Sequence, residues 1–263
     1  MTRFSYIMID QLPVRETELS ELFTYVKECG YEGVELNLTP DVLANLDNID
    51  VAARAVGLVI PSFLTGAAYS DGLCLSSPDP DIRRRTVELL AGYVKIARRF
   101  DAILVFGLLQ GLLSDESHVA LANERIVSGL RQVGGVAHDN GVDIVVEPVN
   151  HLQVGFNNSV AEVRELIDNI GSPALRPMVD TIHMNIEDRS VTQPILDCGS
   201  TLRHVHLCES NGAMLGSGHI DFGSVLNALD QVGYEDFASV KIYRKVDLRD
   251  GIKGGLAHLK DCR

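Results

Sequence analysis

The sequence lacks the marks of several classes of protein. Its five cysteines are scattered and never form a CxxC pair, which argues against a zinc knuckle or a disulfide framework and for a reducing compartment. No run of about twenty apolar residues could cross a membrane, and Asp10 interrupts the first apolar stretch too early for a secretory signal. Basic residues are scarce, 23 against 36 acidic ones, and a net charge of −13 disfavours nucleic acid as a partner. We therefore expect a cytoplasmic globular protein with neither nucleic-acid nor membrane partners.

Short apolar runs alternate with longer amphipathic stretches along nearly the whole chain of 263 residues. The runs predict eight strands, at residues 4–9, 33–37, 58–63, 102–107, 143–147, 175–180, 203–208 and 237–242. Eight β-loop-α units close most naturally into a (β/α)8 TIM barrel, and barrels of this length form a single domain, here residues 1–263. A doubly wound open sheet is the alternative, but no GxGxxG motif follows the first strand.

The stretches between the runs carry helix signals. Apolar residues spaced by three and four predict one-sided helices, for example over residues 119–137. Pro80 and Asp81 open another helix. Glycines close several helices just before the next strand, at Gly30, Gly57, Gly141 and Gly233. This punctuation supports parallel strands joined by covering helices.

Three side chains with metal-binding chemistry come at the ends of consecutive predicted strands. Glu147 ends strand five, Asp180 ends strand six and His206 lies in strand seven. Singly, these residues are typical of an ion-pair partner, an N-cap and a core histidine, but in a barrel the strand ends meet at one mouth. A buried acid needs a cation, and two carboxylates with an imidazole suit a divalent metal ion. We predict that the three bind Mn²⁺, with Mg²⁺, Co²⁺ or Zn²⁺ as alternatives.

Four further polar residues are expected at the same mouth. His183 lies in the loop or first helical turn after strand six, and Asn150 lies just past strand five. Glu209 follows strand seven, and Glu35 belongs to strand two. We interpret all four as substrate-binding residues. The structural alternatives are a surface histidine for His183, a loop cap for Glu209 and an anchor for Glu35.

Five segments of the chain also match a known pattern: GYEGVELN, VVEPVNH, VDTIHMNIED, HVHLCESNGAMLGSGHIDF and the position of SVKIYR. Together they resemble the xylose isomerase-like TIM-barrel superfamily, and within it the ketose 3-epimerases. The resemblance implies a metal held by Glu147, Asp180, His206 and a glutamate near the end of strand eight, with His183 on the sugar. It also implies a homodimer or homotetramer.

The chain departs from this resemblance at two positions. Lys241 stands where the strand-eight glutamate is expected, and Gly212 stands where an arginine is expected. A protonated lysine cannot bind a metal ion. Three roles for Lys241 stay open: a second proton carrier with a lowered pKa, an ion-pair partner of Glu147 that displaces the metal, or a substrate contact beside a single base.

The expected activity is that of a metal-dependent sugar epimerase or isomerase, which moves a proton through an enediolate of a ketose or keto-sugar. Glu147 and Lys241 are the predicted catalytic residues. One alternative is a lyase that acts on a keto-sugar or keto-inositol with the same metal and base. Another is a catalytically silent partner barrel, which Lys241 motivates. The related endonuclease IV barrel is set aside, because the early strands lack its extra histidines and the chain is acidic.

Overall fold

A closed barrel of parallel strands forms the centre of the computed structural model, which describes residues 2–9, 12–13, 15–243 and 246–263. Within these residues eight strands follow one another around the barrel in chain order, and the last pairs with the first. The strands are β1 Arg3–Met8, β2 Gly33–Asn37, β3 Ser62–Leu64, β4 Ile103–Phe106, β5 Ile144–Val146, β6 Leu175–Asp180, β7 His204–Cys208 and β8 Phe237–Lys241. The predicted (β/α)8 barrel is therefore confirmed.

Helices connect the strands and cover the outside of the barrel. They are α1 Glu16–Cys29, α2 Pro40–Ala44, α3 Leu46–Ala55, α4 Pro80–Phe100, α5 Val119–Asn140, α6 Val160–Ile170, α7 Thr181–Glu187, α8 Gln193–Cys198, α9 Phe222–Gln231 and α10 Leu248–Asp261. Helix α5 illustrates their packing, because its apolar residues from Ala122 to Ala137 are buried at spacings of three and four, whereas Val119 in its first turn is exposed. Among the described residues, no helix is long and apolar enough to cross a bilayer.

The helix ends follow the predicted signals closely. Helix α4 begins at Pro80, and the carboxylate of Asp79 caps it by accepting a hydrogen bond from the Asp81 N–H at 2.8 Å. Helix α5 ends at Asn140 and is followed by Gly141, whose φ of +64° lies in the left-handed region that glycine adopts without strain. The other predicted glycine stops also take positive φ. Local sequence thus fixes where most of the covering helices begin and end.

Strand β3 is shorter than the sequence predicts. The run 58–63 suggests a strand, yet the ladder covers Ser62–Leu64, and Val59 makes an isolated bridge to Gly33. Pro61 lies between these two pieces and has no N–H to donate to a neighbouring strand. The proline therefore interrupts the ladder and delays the strand by a few residues.

The inside of the barrel is divided into an apolar part and a polar part. Four side chains of β4, β5 and β6 form a small apolar cluster, separate from the core between strands and helices: Ile103, Val105, Val145 and Met178. The polar part lies on β1, β2, β7 and β8, where Ser5 Oγ lies 2.6 Å from Ser239 Oγ and His204 contacts Glu35. The polar part of the interior is connected to the side chains at the carboxyl-terminal strand ends through the contacts of Glu35 with His206 and of His206 with Glu147.

A partly buried acid, Asp188, lies outside the barrel, just past the end of α7. The Oδ2 atom of Asp188 is buried and has no hydrogen-bond partner within the described residues. Burial raises the pKa of Asp188 to about 6, although a hydrogen bond from the Val160 N–H opposes the rise. Ionised Asp188 therefore destabilises the fold, since the pKa of a free aspartate is about 3.9.

We expect Asp188→Asn to increase the free energy of unfolding by roughly 1–3 kcal/mol at pH 7.5 and by little at pH 4. The sign follows because the raised pKa favours the protonated folded state, and that advantage is lost as the pH rises through about 6. Urea unfolding at the two pH values measures it. Asp168→Asn, at an exposed position of α6, is the control, and an equal gain at both pH values contradicts the prediction.

Candidate active site

Four ionisable side chains come together at the carboxyl-terminal ends of β5 to β8. Glu147 directly follows β5, Asp180 ends β6, His206 lies in β7 and Lys241 ends β8. Each is at most 5 % exposed. In (β/α)8 barrels this end of the strands carries the chemistry, so the fold brings the predicted residues to the expected place.

Lys241 forms the central contact of the site. Its Nζ donates hydrogen bonds to Glu147 Oε1 at 3.1 Å and to Asp180 Oδ2 at 2.8 Å. His206 Nδ1 lies 3.1 Å from the same Glu147 oxygen and 3.5 Å from the same Asp180 oxygen. The three predicted metal ligands therefore converge, and the ammonium of Lys241 contacts both of their carboxylates.

The opposite charges set the ionisation of the whole cluster. Burial alone would lower the pKa of Lys241, but Asp180 and Glu147 raise it well above its usual value. Burial alone would raise the pKa of Glu147, but Lys241 and His206 lower it to about 2. The pKa of Asp180 falls well below its usual value through Lys241 and His183, which again outweigh burial. A second proton carrier would require a lowered pKa of Lys241, whereas the two carboxylates raise this pKa.

Glu35 lies below the strand-end cluster. Its carboxylate is fully buried, with Oε1 at 3.0 Å from His206 Nε2 and Oε2 at 2.9 Å from His204 Nε2. Burial would lower the pKa of His206, but Glu35 raises it well above its usual value. Glu35 thus orients His206, which contacts Glu147. This role is the structural anchor that the sequence analysis gave as the alternative to substrate binding. His204 was missed by the sequence reasoning, although the HVH spacing puts two histidines on one side of β7.

The imidazole ring of His183 has one nitrogen that makes no hydrogen bond to the described residues. Its Nδ1 lies 2.7 Å from Asn150 Nδ2, while its buried Nε2 has no hydrogen-bond partner within the described residues. Asn150 Oδ1 accepts from the Leu152 N–H at 3.1 Å, which fixes the amide so that its NH2 faces the ring. His183 Nδ1 is therefore an acceptor, and the proton of the neutral ring belongs on Nε2.

The free Nε2 of His183 faces the acidic pair. It lies 3.8 Å from Glu147 Oε1 and 3.7 Å from Asp180 Oδ2, too far for hydrogen bonds. Burial is the largest effect on the pKa of His183 and lowers it, so the ring is neutral. A buried N–H that points at the site without a partner suits an oxygen of a bound substrate.

Glu209 does not join the others. Its Oε1 accepts from the Ser210 N–H at 2.8 Å and the Ile220 N–H at 3.2 Å, and its Oε2 accepts from the Gly216 N–H at 2.9 Å. The carboxylate therefore fastens the loop between β7 and α9. This arrangement corresponds to the capping alternative stated for Glu209. Asn150, in turn, contacts the ring of His183.

A cavity of about 420 Å³ opens beside the cluster. Glu147, His183 and Lys241 line one side of it. Its other walls include polar residues that sequence reasoning did not single out: Asn37, Thr65, Gln153 and Tyr243. Gly107 also lines it, and a Cβ there would lie 2.6 Å from Glu147 Oε2, so only glycine leaves room for this carboxylate.

Gly212, which stands where the resemblance predicts an arginine, lies next to Tyr243. Gly212 takes a φ of +67°, and its carbonyl accepts a hydrogen bond from the Tyr243 N–H at 2.8 Å. A Cβ at this position would lie 3.3 Å from atoms of the Tyr243 side chain. Tyr243 therefore takes the space near Gly212, and it also lines the cavity.

Carboxylates and histidines able to hold a metal ion do lie together, in the set Glu147, Asp180 and His183 and in the set Glu35, His204 and His206. The fit for the predicted ion is limited by Lys241. An ion bonded to Asp180 Oδ2 at about 2.1 Å would lie within about 5 Å of Nζ, which is 2.8 Å from that oxygen. At that separation a divalent ion and an ammonium repel by roughly 6–7 kcal/mol at an effective dielectric constant of about 20. With Lys241 in this position, Glu147, Asp180 and His206 do not fit a bound divalent ion.

Comparison with known proteins identifies relatives of the chain. Residues 23–262 match the family described as xylose isomerase-like TIM barrel. An L-ribulose 3-epimerase of Mesorhizobium japonicum is 30% identical over 87% of this chain and 76% of its own length. A D-psicose 3-epimerase of Ruminiclostridium cellulolyticum is 32% identical over 80% of this chain and 73% of its own length.

Solved structures repeat the same fold. A 3-keto-D-glucoside 4-epimerase of E. coli superimposes with a TM-score of 0.86 over the full length of both chains, at 20% identity. At that identity the likeness concerns the fold alone, whereas the family match covers nearly the whole sequence. The chain belongs to the xylose isomerase-like TIM barrel family.

Proposed function

We propose that this barrel is a sugar epimerase or isomerase that moves a proton next to the carbonyl of a ketose or keto-sugar, through an enediolate. The named relatives are sugar epimerases, which supports an enzyme of the isomerase class acting on carbohydrates. One observation carries the proposal: a carboxylate, an ammonium and an unpartnered imidazole N–H all face one cavity, on Glu147, Lys241 and His183.

Each of the three groups has a definite task in such a reaction. Glu147 is ionised and accepts the proton from the carbon next to the carbonyl. Lys241 donates a hydrogen bond to the oxygen on which negative charge develops. His183 Nε2–H holds a neighbouring oxygen of the sugar, while Asn150 keeps the ring in that tautomer. The residues that bind the sugar therefore also stabilise the charge that proton removal creates.

The cofactor implied by the resemblance is a divalent metal ion, with Mn²⁺ as the first choice. The resemblance gives Glu147, Asp180 and His206 as its ligands, where it would supply a Lewis acid for the carbonyl, but with Lys241 on both carboxylates these residues do not fit it. Because Lys241 contacts the same two carboxylates, no step of the proposed reaction runs through the ion. The direct sugar contacts predicted for Glu35, Asn150 and Glu209 remain predictions, as do the cytoplasmic location and the homodimer or homotetramer.

A second candidate uses the same groups with one base. An epimerase that works in both directions needs a base on each face of the sugar, and Lys241 cannot accept a proton because its raised pKa keeps it protonated. One base suffices for an aldose–ketose isomerisation, or for an elimination in a keto-sugar or keto-inositol. The ion pair of Lys241 therefore favours these outcomes over a two-base epimerisation.

Exchange of solvent deuterium into sugars tests the proposed function. We expect exchange at carbon next to the carbonyl in at least one member of a panel of ketoses, keto-glycosides and keto-inositols, and Glu147→Gln should slow it about 10²–10⁴-fold by removing the base. Mass spectrometry and proton NMR measure exchange and identify the product. Glu165→Gln, at an exposed position of α6, is the matched control. Exchange in no member of the panel supports the silent partner barrel and contradicts the proposal.

The tautomer of His183 is open to direct measurement. We expect nitrogen NMR to find a neutral ring protonated at Nε2 at pH 7, because burial lowers its pKa and Asn150 donates to Nδ1. In Asn150→Asp the new carboxylate should accept a hydrogen bond from Nδ1–H, which stabilises the protonated ring and raises the pKa of His183, changing its acid dissociation constant by about tenfold or more.

Asn169→Asp makes the same change at an exposed position of α6 and should leave the His183 signals unaltered. Protonation at Nδ1 in the unmodified protein would contradict the assignment of Nε2–H as the donor to substrate. So would an unchanged pKa of His183 in Asn150→Asp.

A further inference from the structure

We infer that the ammonium of Lys241 is the resident cation of this site and takes the place of a divalent metal ion between Glu147 and Asp180. The inference rests on the proposed function and specifies how that site works. It is carried by the contacts of Lys241, by the charge of its surroundings and by the position of its side chain in the barrel wall.

The contacts of Nζ are those of a cation at the centre of the site. It lies 3.1 Å from Glu147 Oε1, 2.8 Å from Asp180 Oδ2 and 3.5 Å from His206 Nδ1. These are the atoms that converge from β5, β6 and β7, and they belong to the three side chains predicted as metal ligands. A cation that contacts both carboxylates competes directly with a metal ion for the same oxygen lone pairs.

The charge of the site agrees with this substitution. A strand-eight glutamate would add a negative charge, whereas Lys241 adds a positive one. The difference is two positive charges, which is the charge of a divalent ion. Lys241 therefore supplies, as part of the chain, the compensation that a metal ion gives to buried carboxylates.

The lysine is held in place by its surroundings. It ends β8, is 5% exposed, and lies opposite Cys208 in the β7–β8 ladder. Its Nζ lies 5.0 Å from the centroid of the Tyr243 ring, within the range of a cation–π interaction. Moving this ammonium aside to admit an ion would separate it from the two carboxylates that compensate its charge.

The arrangement also places the third N–H of the ammonium beside the cavity. An ammonium has three N–H groups, and two of them are used by Glu147 and Asp180. Lys241 lines the cavity, so the third can reach an oxygen of a bound keto-sugar. The site thus offers the carbonyl a fixed hydrogen-bond donor where a metal-dependent enzyme offers a Lewis acid.

Metal binding to the full-length protein tests the inference. After treatment with a chelator, the protein is titrated with MnCl2 by calorimetry, and bound manganese is counted by elemental analysis. We expect the unmodified protein to bind far less than one Mn²⁺ per chain at this site. Lys241→Glu should bind one, at least about 100-fold more tightly, because it gains a ligand and loses the competing charge. Lys241→Met, which only removes the charge, should also gain binding and serves if the glutamate variant does not fold.

Lys253→Glu makes the same charge change at an exposed position of α10 and should bind Mn²⁺ as the unmodified protein does. One Mn²⁺ per chain in the unmodified protein, bound as tightly as in Lys241→Glu, overturns the inference. A failure of the proposed function is distinct, because it appears as absence of deuterium exchange with and without Mn²⁺. Exchange by the chelator-treated protein without added metal supports the inference, and exchange that strictly requires Mn²⁺ refutes it.

Discussion

The contact of one ammonium with two buried carboxylates determines how the active end of this barrel is built. Two adjacent carboxylates in a protein interior repel each other and lose hydration that is worth several kcal/mol per group. Lys241 offsets both costs for Glu147 and Asp180 through short hydrogen bonds, and it does so from the rigid wall of the barrel. His206 adds a second contact to the same two oxygens, and the remaining neighbours orient the cluster.

That orientation comes from the polar part of the barrel interior. Acidic and imidazole groups alternate from Glu147 through His206 and Glu35 to His204, so every charge has an opposite or neutral neighbour. The rings of the two histidines also pack edge to face, with centroids 5.1 Å apart. The apolar cluster on the other side of the barrel needs no partners and packs as an ordinary core. The barrel interior thus combines an apolar part on β4 to β6 with a polar part that orients the functional groups.

The fold and the convergence of the main residues could be predicted because they depend on local patterns. Apolar runs and glycine stops gave the order of strands and helices, and the barrel rule brought Glu147, Asp180 and His206 to one end. The short β3 shows the limit of this reasoning, because an apolar run does not reveal that Pro61 interrupts the ladder. The relation of Glu35 to two histidines on β7 was beyond reach, since it depends on how residues meet across the barrel. The roles of Asn150 and Glu209 likewise depend on which backbone N–H groups their loops turn inward.

Glu209 shows how such a loop is organised. Residues 210–220 wrap around its carboxylate, and the groups that hold it are mostly backbone N–H donors, which every amino acid except proline provides. Gly218 is the exception in the wrapping segment, because a Cβ there would collide with the same carboxylate. The exposed side chains of Asn211 and Ser217 hydrogen-bond to each other, and His219 Nε2 lies 3.0 Å from Asn185 Oδ1. The outer face of this loop can therefore vary in sequence without disturbing the hydrogen bonds that hold Glu209.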